Sequence, residues 1–183
     1  AYFVPNRLVK EQSKGDVYLT LVSGRVLHIP SFALAQDLGA TVYTIVPNGE
    51  LTNSPKAPGD LAPFITCNGS LRVLDRGGLA PVAKLPSGWK ATALTTAECA
   101  QFTKRGTTQS APLFVQAPGT AEVYYLDRGT LRHVRTITEL HRLNGGRPLV
   151  ILSWSAGTTA AAPAGAPILA DGSVVQFDGK AEE

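Results

Sequence analysis

One pattern constrains what this chain can fold into more than any other: two apolar strands joined by a tight glycine turn, written several times along the sequence. In its fullest form it reads Val123-Tyr124-Tyr125-Leu126-Asp127-Arg128-Gly129-Thr130-Leu131-Arg132-His133-Val134. Earlier versions run from Val17 to Ile29 around Gly24 and from Leu71 to Leu79 around Gly77, and a shorter one runs from Val174 to Gly179. The turn glycines stand at 24, 77, 129 and 179, so successive turns are 53, 52 and 50 residues apart. A spacing of this kind marks a repeat architecture, because so small a unit cannot bury both faces alone and must stack on its neighbours.

The segments around each hairpin recur in the same order. A short apolar strand precedes it, usually opened by proline, at Tyr2-Phe3-Val4-Pro5, Ala62-Pro63-Phe64-Ile65, Ala111-Pro112-Leu113-Phe114-Val115 and Ala166-Pro167-Ile168-Leu169. After the first hairpin, Ser31 is placed to cap a helix over residues 32–38, with Gly39 as its left-handed stop. The β-branched run Thr41–Val46 then predicts a strand, Pro47-Asn48-Gly49 a turn, and the polar stretch to Gly59 a connection to the next unit. In the third copy Thr136 or Thr138 caps a helix around residues 139–143, residues 148–152 form a strand, and the Ser/Gly/Thr/Ala/Pro segment to Ala166 has the composition of a loop. The middle copy carries Leu85-Pro86-Ser87-Gly88-Trp89 where the others have a helix, and both breakers forbid one. Further on, Thr95 and Glu98 have capping-box spacing. The expected fold is mainly β with short helices, in three and a half repeats: unit one 1–61, unit two 62–110, unit three 111–165 and a half unit 166–183. Pseudo-threefold closure resembling a β-trefoil and an open array of small α+β units both satisfy this pattern.

Composition supports a packed domain: 44% of the 183 residues are hydrophobic and only 17% charged, which argues against disorder. No apolar run reaches the roughly 20 residues of a membrane helix. The absence of methionine and the start at Ala1 are expected of a chain whose leader was removed or that was excised from a longer one. The two cysteines, Cys67 and Cys99, permit one bridge, expected in an oxidising compartment. A net charge of +3 is too mild for nucleic-acid binding by the whole chain. The region from Asp127 to Arg147 is more basic, with arginines at 128, 132, 135, 142 and 147 and histidines at 133 and 141. Such a patch either attracts an anionic polymer or is a solvated face.

Residues with chemical potential are few. Ser153-Trp154-Ser155-Ala156-Gly157 follows an apolar strand and resembles a nucleophile elbow, but Ser153 replaces its first glycine and no histidine follows Ser155, as the hydrolase order demands. His28 and His133 each stand four residues after a turn glycine, while Pro81 holds that place in the middle copy. No Cys/His spacing of a zinc site occurs, and Asp75 and Asp127 read as turn formers. Asn68-Gly69-Ser70 matches a glycosylation acceptor but reads as a turn. Tyr18, Tyr124, Tyr125, Trp89 and Trp154 offer flat rings of the kind that cover sugar faces. The candidate ligand-binding set is therefore Tyr18, His28, Tyr124, Arg132, His133 and Trp154, with no catalytic residue, no metal and no cofactor.

The order hydrophobic-Tyr-Leu, turn glycine, Arg, His-Ile or His-Val, a helix ending at glycine and a later Ala-Pro-hydrophobic is carried by Val17–Gly39 and Val123–Gly145, with weaker support from Leu71–Phe114. It resembles the roughly 50-residue repeats of secreted bacterial, often actinobacterial, proteins that accompany cell-wall hydrolases or surface proteins. The resemblance implies an extracellular, ancillary and non-catalytic role. The expected partner is a cell-wall polymer or glycan, or another surface protein, with no nucleic acid and no membrane span. A structural subunit of a surface or phage assembly is the alternative, and a serine esterase the third possibility.

Overall fold

A computed structural model describes residues 3–168. In chain order its strands are β1 (Arg7–Glu11), β2 (Val17–Thr20), β3 (Val26–Ile29), β4 (Val42–Val46), β5 (Lys56–Asp60), β6 (Phe64–Cys67), β7 (Ser70–Asp75), β8 (Gly78–Pro81), β9 (Ala91–Leu94), β10 (Phe114–Gln116), β11 (Val123–Asp127), β12 (Thr130–Val134) and β13 (Leu152–Ser153). The helices are α1 (Phe32–Leu38), α2 (Thr96–Cys99), α3 (Ile137–Leu143) and α4 (Ala156–Ala161). The strands form three sheets, ordered β4-β1-β2-β3-β5, β9-β6-β7-β8 and β13-β10-β11-β12, and none closes into a barrel among the described residues. The chain divides into two compact units, one of Ala1–Leu85 with Lys90–Thr108, the other of Pro86–Trp89 with Gln109–Glu183.

The sheets share one connectivity. In each, an opening strand pairs antiparallel with a hairpin and parallel with a strand that returns after the helix or its replacement. A further segment runs parallel to the hairpin's second strand: β5 beside β3, Lys104 bridging Leu79, and Ala164 and Ile168 bridging Leu131 and Val134. Turn chemistry fixes the hairpin registers. Arg76 and Gly77 have φ of 49° and 74°, and Arg128 and Gly129 have 50° and 84°. Positive φ at both central residues is the type I′ turn, whose twist matches that of the flanking strands. The first and third sheets each bury an apolar cluster: Val9, Val26 and Leu51 in the first, and Phe114, Val134, Leu140 and Ile168 in the third.

The helix signals were read correctly. Ser31 Oγ accepts from the Ala33 amide, Gly39 ends α1 at φ 98°, and Thr136 caps α3. Four expectations need correction. The strand expected over residues 148–152 is only β13, Leu152–Ser153, because pairing with β10 begins at Leu152. Of the strand expected at 2–5, Tyr2 lies outside the described residues and residues 3–5 are in no strand; the opening strand is β1, with Leu8 set opposite Leu19 as Phe64 is opposite Val73. Aligning the copies on proline had shifted this strand by several residues. The polar stretch before Gly59 contains β5, which its Pro and Gly hid and which an edge position tolerates. The segment after β13 is no plain loop: Ser155 caps α4 and its alanines and threonines continue a turn and a half of helix. The half unit around Gly179 lies outside the described residues.

Gly39 and Gly77 touch across the first two sheets, where α1 meets the second hairpin. A Cβ on Gly39 would sit 2.5 Å from the Gly77 carbonyl oxygen. Gly39→Ala therefore combines a left-handed backbone with a backbone clash and is expected to cost about 2–3 kcal/mol. The check is urea unfolding, with Gly49→Ala, which meets nothing within 4 Å, separating the φ cost from the clash.

Candidate functional site

Two surfaces of the first sheet stand out. The first is a shallow cleft beside the hairpin. Tyr18 and His28 face each other across β2 and β3, with ring centroids 5.4 Å apart in an edge contact. His28 Nδ1 lies 2.8 Å from Asp60 Oδ1, and Nε2 lies 3.5 Å from Asp16 Oδ1. Both ring nitrogens thus face carboxylates, which orient the imidazole. Lys56 Nζ sits 5.4 Å over the Tyr18 ring while donating to the carbonyls of Leu51 (2.6 Å) and Ser54 (2.9 Å). The ring face that would have formed a sugar shelf already carries a cation.

Glu11 walls the same cleft yet belongs to the scaffold. Its carboxylate accepts from the Gly49 and Leu51 amides at 2.8 and 3.1 Å and pairs with Lys14. Burial alone would raise its pKa, but the Leu51 and Gly49 amides and Lys14 hold it below the usual carboxylate value. Through Oε1 the group fastens the turn after β4, while Oε2 pairs with Lys14 at 3.4 Å.

The cleft is not repeated. Tyr124 and His133 pair across β11 and β12 with centroids 5.7 Å apart, as Tyr18 and His28 do. The Leu61 amide donates to the His28 carbonyl at 2.9 Å and the Ile168 amide to the His133 carbonyl at 2.9 Å, so Pro167 stands where the first sheet has Asp60. The second sheet carries Pro81, opposite Arg72, in place of the histidine. Arg132 ties the third sheet together, bonding Asp127 Oδ2 and the Ala166 carbonyl, both at 2.9 Å. Trp154 is fully buried with its ring on Trp89, 5.9 Å between centroids, and so packs a core instead of lining a surface. Part of the basic stretch 127–147 is spent in the same way, Arg142 bonding Glu139 and Arg147 the carbonyls of Ala111 and Asn144, while Arg128, Arg135 and His141 are exposed.

Ser155 Oγ accepts from the Thr158 amide at 3.4 Å, so the tempting serine is a helix cap. Cys67 and Cys99 form a disulfide between β6 and α2. Among the described residues no group of three or more His, Cys, Asp or Glu side chains could hold a metal ion. No helix among them is long and apolar enough to cross a membrane.

The second surface is β4. Among the described residues it pairs only with β1 and so stands at the edge of its sheet. Val42, Tyr43 and Ile45 are 46%, 43% and 56% exposed, and Phe32 of α1, 54% exposed, extends the patch by an edge-to-face contact with Tyr43 at 5.4 Å. Edge strands ordinarily carry lysine, proline or a bulge that blocks further pairing, and this one has none. Sequence reasoning found the strand but not its exposure, since an unbroken apolar run reads as a buried one.

No protein-family model matches the chain, and no curated protein matches it in sequence. Among solved structures, a chain of the periplasmic assembly of the ESX-5 inner membrane complex is similar over 88% of this chain and 40% of its own, at 12% identity and a TM-score of 0.24. A chain of an intact ESX-5 inner membrane complex is similar over 92% of this chain and 53% of its own, at 8% identity and a TM-score of 0.27. This chain thus spans about half or less of the length of these two structures. Scores this low define neither a family nor a shared fold.

Proposed function

We propose that this chain is a non-catalytic interaction module of an assembly outside the cytoplasm, built of like sheet units. The observation that carries it is β4, an apolar strand that among the described residues has no partner on its outer edge and no lysine or proline within it to discourage pairing. Exposed apolar patches of this kind mark contact surfaces, and an open edge offers main-chain donors and acceptors to a partner strand. The common connectivity of the three sheets supports a chain of repeated units. The Cys67–Cys99 bridge supports an oxidising compartment. A non-catalytic role accords with the fate of the candidate chemistry, since Ser155, Glu11 and Arg132 are all engaged in holding the fold. A protein partner is preferred to a glycan because Lys56 occupies the face of Tyr18 and Trp154 is buried.

A photo-reactive phenylalanine analogue placed at Tyr43 and illuminated in the native cell envelope is expected to give a discrete protein adduct, whereas the same probe at exposed Gln12 gives none. Sedimentation of the purified chain with protease-stripped cell walls, and no adduct from position 43, would replace the protein partner with a glycan.

A further inference from the structure

The cleft beside Tyr18 has a counterpart of different chemistry in the second sheet. Arg72 lies opposite Pro81 as Tyr18 lies opposite His28, and Lys104 bridges Leu79 in parallel as Lys56 pairs with Val26. Tyr124 and Ala164 hold the same two places in the third sheet. The two places therefore carry a ring and a lysine in the first sheet, a ring and an alanine in the third, and two cations in the second. Arg72 and Lys104 line one cleft of about 120 Å³ together with Ser70, Thr96, Cys67 and Phe102. Cys67 pairs with Ser70 across β6 and β7, and its bridge to Cys99 holds α2 over that end of the sheet. Cys67 and Phe102 are buried, Arg72 is half-buried, and Ser70, Thr96 and Lys104 are exposed. Among the described residues no carboxylate pairs with Arg72 or Lys104, and no hydrogen bond engages either side chain or the hydroxyls of Ser70 and Thr96. The surroundings add no compensation. Between residues 62 and 108 six basic side chains stand against Asp75 and Glu98, a net +4 where the whole chain carries +3. Both acids are taken, Glu98 by Arg25 and Asp75 by Arg76. Two like charges on one cleft repel each other unless an anion lies between them.

We infer that this cleft binds the phosphate group of a phosphomonoester. Arginine presents a planar fork and lysine a point charge, and both bind phosphate. A carboxylate's two oxygens are satisfied by the arginine fork alone, which leaves the lysine and the hydroxyls without a role. A phosphomonoester carries about two negative charges at pH 7 and three acceptor oxygens, enough for both cations and both hydroxyls. The site is separate from β4 and stands whether or not that edge docks a protein.

Titration with inorganic phosphate followed by nuclear magnetic resonance, at an ionic strength held constant with sodium chloride, tests it. The amides of Ser70, Arg72, Thr96 and Lys104 should shift and saturate, and glycerol 3-phosphate should act in the same way. Arg72→Gln and Lys104→Gln should each weaken binding about tenfold or more with circular dichroism unchanged. Lys84→Gln, which removes the same charge from an exposed position of the same repeat, should leave binding as it was. Lys104 is exposed, so its variant carries the test should Arg72→Gln fail to fold. Co-flotation with phosphatidylcholine vesicles containing phosphatidic acid, abolished by Lys104→Gln, assigns the ester to a lipid headgroup. Binding of glycerol 3-phosphate without co-flotation assigns it to a soluble ester. Shifts that never saturate, or that Lys84→Gln reduces as much as Lys104→Gln does, overturn the inference, because they report a diffuse positive field. Equal affinity for acetate, or binding of inorganic phosphate that neither ester shares, overturns it too.

Discussion

Arg25→Ala is expected to be the most damaging single substitution in the first compact unit, at about 3–5 kcal/mol, because it strands a buried carboxylate. Glu98 is completely buried. Its oxygens accept from Arg25 Nε at 2.9 Å and Nη2 at 2.6 Å, from the Ser23 hydroxyl, and from the Thr95 amide at 2.9 Å. Burial by itself would raise the pKa; Arg25, Ser23 and the Thr95 amide outweigh it and bring Glu98 down to about 2. A folded value below the ordinary 4.5 means that the bonded carboxylate stabilises the fold at neutral pH and that this contribution is lost as pH falls from about 4.5 towards 2. The shift corresponds to about 3 kcal/mol. Thermal unfolding of Arg25→Ala should therefore show a melting point lower by roughly 10 °C at pH 7 and a much shallower decline below pH 5. An unchanged acid slope in the variant would mean that Glu98 titrates normally. Replacing both partners, Arg25→Met with Glu98→Leu, should recover most of the loss, since no charge is then left buried without a partner.

Removing the Cys67–Cys99 bridge comes next. It closes a loop of 32 residues, and the chain-entropy relation assigns such a loop about 3–4 kcal/mol. Both cysteines belong to the first compact unit, so Cys67→Ala with Cys99→Ala should lower one unfolding transition and leave that of the second unit in place. Hydrogen exchange resolves the two: amides of β6, β7 and β9 should lose protection while those of β11 and β12 keep it. Equal loss in both sets would show that the units unfold as one. The bridge also takes over a local duty. The second sheet has no helix between β8 and β9, its place being held by Pro86-Ser87-Gly88, and α2 is a single turn, too short to hold itself together.

Several structural features were legible because their causes are local. A glycine at φ above zero makes a tight hairpin wherever two β-rich runs flank it, and so Gly77 and Gly129 announced β7–β8 and β11–β12. Ser31 and Thr95 announced α1 and α2 through side-chain oxygens that reach amides two or three residues on. Aligning prolines failed for β1 because proline marks a strand start without fixing which residue pairs across.

The remaining features depend on residues distant in sequence. Asp60 reaches His28 only because β5 runs parallel to β3, and nothing in Lys56-Ala57-Pro58-Gly59-Asp60 betrays a strand. Glu98 was visible as a helix cap, but its pairing with Arg25, 73 residues away, was not. Tyr18 and Trp154 looked alike as flat rings, and only packing put a lysine over one and buried the other. The sequence by itself determined the hairpins, the caps and the spacing of the units, since these rest on backbone conformation and bonds a few residues long. Only the tertiary structure decided that the apolar run of β4 is exposed, because exposure depends on which surface arrives from elsewhere in the chain, and the first sheet has none before it among the described residues.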